Sequence, residues 1–93
     1  MSNTINSSSY LVYILRCADD TLYIGTTNDV ARRLKEHNES KKGARYTKIR
    51  RPAVLVYEES GHTRSSALKR EYELKQMMRQ EKLELINKNE KTN

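Results

Sequence analysis

The sequence lacks the residues that mark several common protein classes. Its 93 residues include one cysteine, one proline, three glycines, no tryptophan and no phenylalanine. A lone Cys17 excludes an intramolecular disulfide and a cysteine-based metal cage, which fits a reducing compartment. No apolar run approaches the ~20 residues needed to span a bilayer. Residues 1–9 also lack the basic start and apolar stretch of a signal peptide, so the sequence predicts a cytoplasmic protein.

Positive charge is what the chain has in excess. Lysine and arginine number 18 against 12 acidic residues, for a net charge of +6 and a pI near 9.6. Such a surface attracts polyanionic partners, although a merely solvated basic surface would give the same balance. Only 35% of the residues are hydrophobic, and six tyrosines are the only aromatic side chains. One domain with a small core is therefore expected.

Hydrophobic patterning places one α+β domain at residues 10–86, between a disordered leader at 1–9 and a disordered tail at 87–93. Three β-rich apolar segments, at 10–15, 22–25 and 53–58, predict strands. Turn residues between the first two segments indicate a hairpin. With the helices described next, the predicted order is β-β-α-β-α.

Two helices are indicated by capping residues and periodicity. The first is expected to begin at a Thr27 or Asn28 cap. The second begins near Thr63 or Ser65 and runs to about Arg79. Residues 82–86 are expected to add one or two further turns.

The first helix sorts its two neighbouring arginines onto opposite faces. At 100° per residue, Arg33 borders the apolar stripe that contains Val30, whereas Arg32 points to water. His37 lies one turn beyond Arg33 on the same side. Each residue also has a structural interpretation: a histidine favoured by the helix dipole, and an arginine whose stem covers the core.

A glutamate interrupts the apolar face predicted for the second helix. That face is formed by Ala67, Leu68, Tyr72, Leu74 and Met78, and Glu71 lies near its middle. A carboxylate facing a core is unfavourable unless a charge, a metal or hydrogen bonds meet it. Pairing with Lys75 four residues later is the structural alternative. A lone carboxylate otherwise suits Mg²⁺, which keeps several of its waters.

Basic residues crowd the loop between the first helix and the third strand. They are candidate phosphate ligands, and an aromatic ring among them could stack on an exposed base. Small Gly43 and Ala44 would let the backbone approach a ligand. The alternative is a flexible, solvated loop. The candidate nucleic-acid-binding residues are Lys41, Lys42, Arg45, Tyr46, Lys48, Arg50 and Arg51.

These residues together resemble the GIY-YIG nuclease superfamily. Tyr23-Ile24-Gly25 is a literal YIG, and Tyr13 matches the last residue of the GIY half, although Leu11 and Val12 replace its glycine and isoleucine. Arg33, His37 and Glu71 match the superfamily's catalytic arginine, its His or Tyr position and its metal-binding glutamate. The small stand-alone bacterial (YhbQ-type) branch is most similar, and the Slx-type structure-specific endonuclease also resembles it.

The resemblance implies a three-stranded antiparallel sheet flanked by helices, one Mg²⁺ or Mn²⁺ ion, and hydrolysis of DNA, with RNA as an alternative substrate. Tyr13, helped by His37, would activate water, and a neighbouring cation would favour its phenolate. Arg33 would stabilise phosphoryl charge, Glu71 would hold the metal, and Tyr23 would position the phosphate or base. A structure-specific or repair endonuclease is the leading hypothesis. A partner protein could supply its specificity. The alternatives are a catalytically quiet nucleic-acid-binding module and a small adaptor protein.

Overall fold

A computed structural model describes residues 9–91, so the predicted leader lies almost wholly outside the described residues. The elements are β1 (Tyr10–Arg16), β2 (Leu22–Thr27), α1 (Val30–Glu39), α2 (Arg45–Lys48), β3 (Val54–His62), α3 (Arg64–Gln76) and α4 (Arg79–Lys91). The predicted β-β-α-β-α order is confirmed. Helix α2 lies within the basic loop and was not predicted. Among residues 9–91, no helix is both long and apolar enough to cross a membrane.

The sheet has the order β2-β1-β3 and is antiparallel throughout, as the resemblance implied. Central strand β1 pairs Tyr13 with Gly25 on one side and with Glu58 on the other. Strand β3 continues four residues past the predicted segment 53–58, and Tyr10 still pairs with His62. Gly61 takes the positive φ of 83° just before that last pair.

Alternation along β1 builds two cores on opposite faces of the sheet. Val12 and Ile14 pack on one face with side chains of α3 and α4, among them Leu74 and Ile86. Tyr13 and Leu15 belong to the other core, against which α1 packs Val30 and Leu34. Because both faces are covered, β1 reads as a continuous apolar run in the sequence.

Helix α1 begins slightly later than predicted. Asp29 is its N-cap and accepts a hydrogen bond from the Arg32 backbone N–H at 3.1 Å. Thr27, one of the two predicted caps, instead accepts from the Asp29 backbone N–H at 3.1 Å. Its hydroxyl therefore shapes the turn that leads from β2 into the helix. The Asp29 carboxylate, and not the Thr27 hydroxyl, accepts the hydrogen bond from the first turn of the helix.

The C-terminal helices differ from the prediction in where they divide. Thr63 caps α3 through a reciprocal capping box, but the helix stops at Gln76 because Met77 is extended (ψ 148°). Helix α4 then runs to Lys91, so the predicted disordered tail at 87–93 is wrong as far as residue 91. Ile86 is only 1% exposed and anchors α4 in the core, and tertiary packing of this kind stabilises a polar helix that propensity alone would leave frayed.

Candidate active site

A buried hydrogen-bond chain joins β1, α1 and α2. The Tyr13 hydroxyl lies 2.8 Å from His37 Nε2, and His37 Nδ1 lies 2.7 Å from Thr47 Oγ1. His37 and Thr47 are fully buried, and Tyr13 is 2% exposed. Each polar group in this chain has a partner, as buried polar groups require. The fold therefore holds the predicted tyrosine and histidine in one fixed arrangement, with Thr47 as a supporting residue.

Gly25 makes room for that phenol. A Cβ at this position would lie 2.5 Å from the Tyr13 hydroxyl oxygen and 2.7 Å from its Cζ. No side chain can occupy that space without moving the ring. The glycine of Tyr23-Ile24-Gly25 is thus explained by its partner across the hairpin, since Gly25 and Tyr13 are paired in the sheet.

The electrostatics of Tyr13 oppose the expected phenolate. Burial and the nearby Tyr23 raise the pKa of Tyr13 to about 12, and Glu71 adds to the rise. Arg33 acts in the predicted direction and lowers this pKa, but it does not compensate for the burial. Tyr13 is therefore a neutral phenol at pH 7 in the free protein, because the effect of Arg33 has the predicted direction but is smaller than that of burial.

The surroundings of His37 keep its ring neutral, although they also make it a weaker base than a free imidazole. Burial, with the positive charges of Arg33 and Arg51, lowers the pKa of His37 to about 4. The ring is neutral at pH 7, so one of its two hydrogen-bonded nitrogens carries no proton and can accept one. Its structural interpretation as an imidazolium meeting the helix dipole is excluded by this burial.

Arg33 and Arg32 lie as the helical spacing predicted. Arg33 Nη1 donates to Glu36 Oε1 at 2.8 Å and to the Lys42 carbonyl at 2.9 Å, while its charge acts on both Tyr13 and His37. The Arg32 side chain is 55% exposed. Only Arg33 therefore belongs to the site, and Glu36 fixes its position.

Tyr23 lies beside the buried pair. Its ring centroid is 5.1 Å from that of His37 and 6.4 Å from that of Tyr13. On its other flank, the Tyr46 ring stacks at 6.1 Å with an interplanar angle of 27°. Four rings thus continue from the core towards the basic loop.

Glu71 lies at the edge of the buried face of α3, and the apolar face predicted for this helix is wrong. The buried stripe contains Ala67 and Leu74, whereas Leu68, Tyr72 and Met78 are exposed, so Glu71 borders the stripe instead of lying in its middle. Its Oε2 pairs with Lys75 Nζ at 2.7 Å, and its side chain is 19% exposed. The carboxylate nevertheless lies within electrostatic reach of Tyr13, whose pKa it raises.

Glu71 is the one carboxylate that the sequence predicted to hold a metal ion. Within residues 9–91 no group of three or more His, Cys, Asp or Glu side chains could hold a metal ion. Mg²⁺ and Mn²⁺ are bound in many sites by one or two carboxylates, with water and substrate phosphate completing the shell. The donor set therefore fits a largely hydrated ion and does not fit a protein-enclosed one.

Two of the predicted phosphate ligands have structural roles. Arg51 donates to the carbonyls of His37 at 2.6 Å and Ser40 at 2.7 Å and so caps the C-terminus of α1. Arg50 pairs with Asp19 at 3.0 Å and lies 3.8 Å above the centre of the Tyr46 ring. Tyr46 is thereby already stacked within the protein. These contacts were invisible in the sequence because they join residues up to 31 positions apart.

The remaining basic side chains of the loop are open to solvent. Lys41, Lys42, Arg45 and Lys48 are exposed. Gly43 serves the packing of this loop instead of a ligand, since a Cβ there would lie 2.6 Å from the Glu36 carbonyl. The loop includes the short helix α2 and buries Thr47. It contains four exposed cationic side chains, and its Tyr46 ring stacks on Tyr23.

Sequence reasoning missed Thr47 and Glu36. Thr47 holds His37 Nδ1, and Glu36 holds Arg33. For Glu36 a signal existed, because it lies three residues after Arg33 on the same helix. No comparable signal marked Thr47, whose contact with His37 depends on the fold of the basic loop.

Comparison with known proteins shows the family to which the chain belongs. Residues 9–84 match the family described as the GIY-YIG catalytic domain. A UPF0213 protein of Desulfotalea psychrophila is 53% identical over 83 residues, covering 89% of this chain and 76% of that protein. A UPF0213 protein of Staphylococcus aureus is 54% identical over 78 residues, covering 84% and 94%. The solution NMR structure of a UPF0213 protein from Bacillus halodurans has a TM-score of 0.54 and 42% identity, covering 84% and 82%.

Proposed function

Because this chain belongs to the GIY-YIG catalytic-domain family, we propose that it is a metal-dependent endonuclease that hydrolyses phosphodiester bonds in branched or damaged DNA. The observation that carries the proposal is the Tyr13–His37 hydrogen bond of 2.8 Å, with Arg33 acting on both groups. A neutral imidazole, a phenol and a guanidinium are the parts that water activation and phosphoryl charge stabilisation need.

Tyr13 transfers a proton between the attacking water and His37. In the arrangement that we assign, His37 Nδ1–H donates to Thr47 Oγ1, whose own hydroxyl donates to the Ala44 carbonyl at 3.0 Å. His37 Nε2 then accepts the Tyr13 proton while the Tyr13 oxygen takes one from water. The phenol need not stand as a free phenolate, which accommodates its raised pKa. A bound phosphate anion raises the pKa of His37 and so favours this transfer.

Arg33 stabilises the negative charge that develops on the phosphoryl oxygens. Glu36 neutralises part of its charge and keeps the guanidinium in place at 2.8 Å. Tyr23 and the exposed cations Lys41, Lys42 and Arg45 hold the nucleic acid against the site. These residues would contact phosphates and the faces of bases, so the protein would recognise its nucleic acid by shape more than by sequence.

Glu71 would hold Mg²⁺ or Mn²⁺ through the carboxylate oxygen that does not pair with Lys75. When bound, the ion supplies Lewis-acid stabilisation of the departing 3′ oxygen. Lys75 and the ion compete for the same carboxylate, and a change in this pairing is expected when metal binds.

A cleavage assay on flap, fork, junction and nicked DNA tests the proposal, with Mg²⁺, Mn²⁺ or chelator present. Glu71→Gln should abolish cleavage and leave folding and DNA binding largely intact. Glu73→Gln, on the same helix and 59% exposed, is the matched control and should cleave as wild type. Equal cleavage by the Glu71 variant and wild type would remove the assigned role.

A catalytically quiet nucleic-acid-binding module is the second candidate. The observation that favours it is the 2.7 Å Lys75–Glu71 pair, which neutralises the carboxylate without any metal. This candidate predicts salt-dependent DNA binding that is unchanged by Mg²⁺, with no cleavage of any substrate.

A further inference from the structure

Helix α3 exposes a pair of large apolar side chains, Leu68 and Tyr72. Leu68 is 50% exposed and Tyr72 is 67% exposed, although the helix already buries Ala67 and Leu74 against the sheet. Their spacing of four residues places the two side chains next to each other on one face. Large apolar side chains grouped at the surface often mark an interaction site.

This pair lies on the same side of the helix as Glu71. At 100° per residue, Leu68 is about 60° and Tyr72 about 100° from Glu71, both away from the buried stripe. Lys75 lies, by its angle about the helix, between Glu71 and this apolar pair, and its Nζ pairs with Glu71 at 2.7 Å. The exposed surface is therefore continuous with the carboxylate proposed to serve the reaction.

The charges around the pair select a polyanionic partner. Arg64, Lys69 and Lys75 fall on the same half of α3 and are exposed, and Glu71 is the only acidic residue on that half. Like charges would oppose the docking of a second copy through this face. A single nucleic-acid strand combines the two properties that the surface would match, since it has flat apolar bases and a phosphate chain.

We propose that Leu68 and Tyr72 form a stacking platform for an unpaired base of the substrate strand as it leaves the site past Glu71. The platform deepens the proposed function and rests on it for the direction of the strand. The base stacks on the Tyr72 ring over Leu68, and the flanking phosphates meet Arg64 and Lys69. Bases inside a duplex cannot reach the ring, so the surface distinguishes splayed strands from intact duplex.

Fluorescence anisotropy with labelled single-stranded and duplex DNA, in chelator, tests the platform without any need for cleavage. Tyr72→Ala should weaken single-strand binding by about tenfold and leave duplex binding within about twofold. Tyr72→Phe keeps the ring and should bind as wild type. The salt dependence should not change for Tyr72→Ala, because stacking releases no counterions. Met78→Ala, which removes another exposed apolar side chain (72% exposed), is the control.

The outcomes separate this proposal from the proposed function. If no variant cleaves DNA but Tyr72→Ala selectively loses single-strand affinity, the platform stands and the nuclease assignment fails. Equal single-strand affinity of Tyr72→Ala and wild type overturns the platform, even where wild type cleaves. Absence of single-strand binding by wild type also overturns it, as does a self-association that Tyr72→Ala abolishes. Thermal unfolding of each variant verifies that an exposed substitution leaves the fold unchanged.

Discussion

Acidification from pH 7.5 to 5 should destabilise this protein through His37. The ring is fully buried, and burial with nearby positive charge lowers its pKa in the folded state from 6.5 to about 4. In the unfolded chain the same imidazole regains its ordinary value. Between these two values the unfolded state binds more protons than the folded state, so the free energy of unfolding falls as the pH falls.

The size of the effect follows from the two pKa values. Below pH 4, where His37 is protonated in both states, the free energy of unfolding is lower by about 3 kcal/mol than at pH 7.5. At pH 5 the loss is already about 2 kcal/mol, out of roughly 5–15 kcal/mol for a typical protein. Carboxylates contribute little in this window. Hydrogen bonds from Thr21 lower the pKa of Asp19 and Arg33 lowers that of Glu36, so their contribution is lost only below about pH 4.

Urea unfolding at pH 7.5 and pH 5 measures the loss. For wild type the midpoint should fall by about 1 M. His62→Gln is the matched control for removal of a histidine. His37→Gln should show a clearly smaller one. An NMR titration of the His37 ring gives the same quantity directly. An NMR titration midpoint of His37 near pH 6.5 would refute the reasoning. A fall of the urea midpoint in His37→Gln equal to that in wild type would also refute it.

Four further substitutions test separate parts of the structure. Thr47→Val leaves His37 Nδ1 without its 2.7 Å partner, and denaturant unfolding should show a loss of about 1–3 kcal/mol. Arg33→Lys keeps the charge but loses the planar fork, so cleavage should fall at least ~100-fold while DNA binding by anisotropy changes little. Gly25→Ala should lower the melting temperature and cleavage together, because its Cβ meets the adjacent phenol. Ile86→Ala should cost about 2–5 kcal/mol in thermal unfolding, and an unchanged stability would mean that α4 does not pack as described.

Local patterns predicted the elements whose residues act on near neighbours. The division of Arg32 and Arg33 between solvent and site followed from helical spacing, and the antiparallel hairpin followed from its turn and strand composition. The same reasoning gave the wrong burial for Leu68, Tyr72 and Met78. Periodicity gives the angle of a side chain about its helix but not which angle faces the sheet.

The amino-acid sequence alone determined the order of the three strands and the main helices, and the positive charge. It also determined the presence of Tyr13, Tyr23, Arg33, His37 and Glu71 at recognisable spacings. Only the tertiary structure decided that Tyr13 is a neutral phenol and that His37 is a neutral base. It also decided that Arg50 and Arg51 support the fold. In the folded protein, the ionisation and pairing of these groups depend on burial and on charges brought together from distant positions. Burial and these charge contacts arise only when the chain folds.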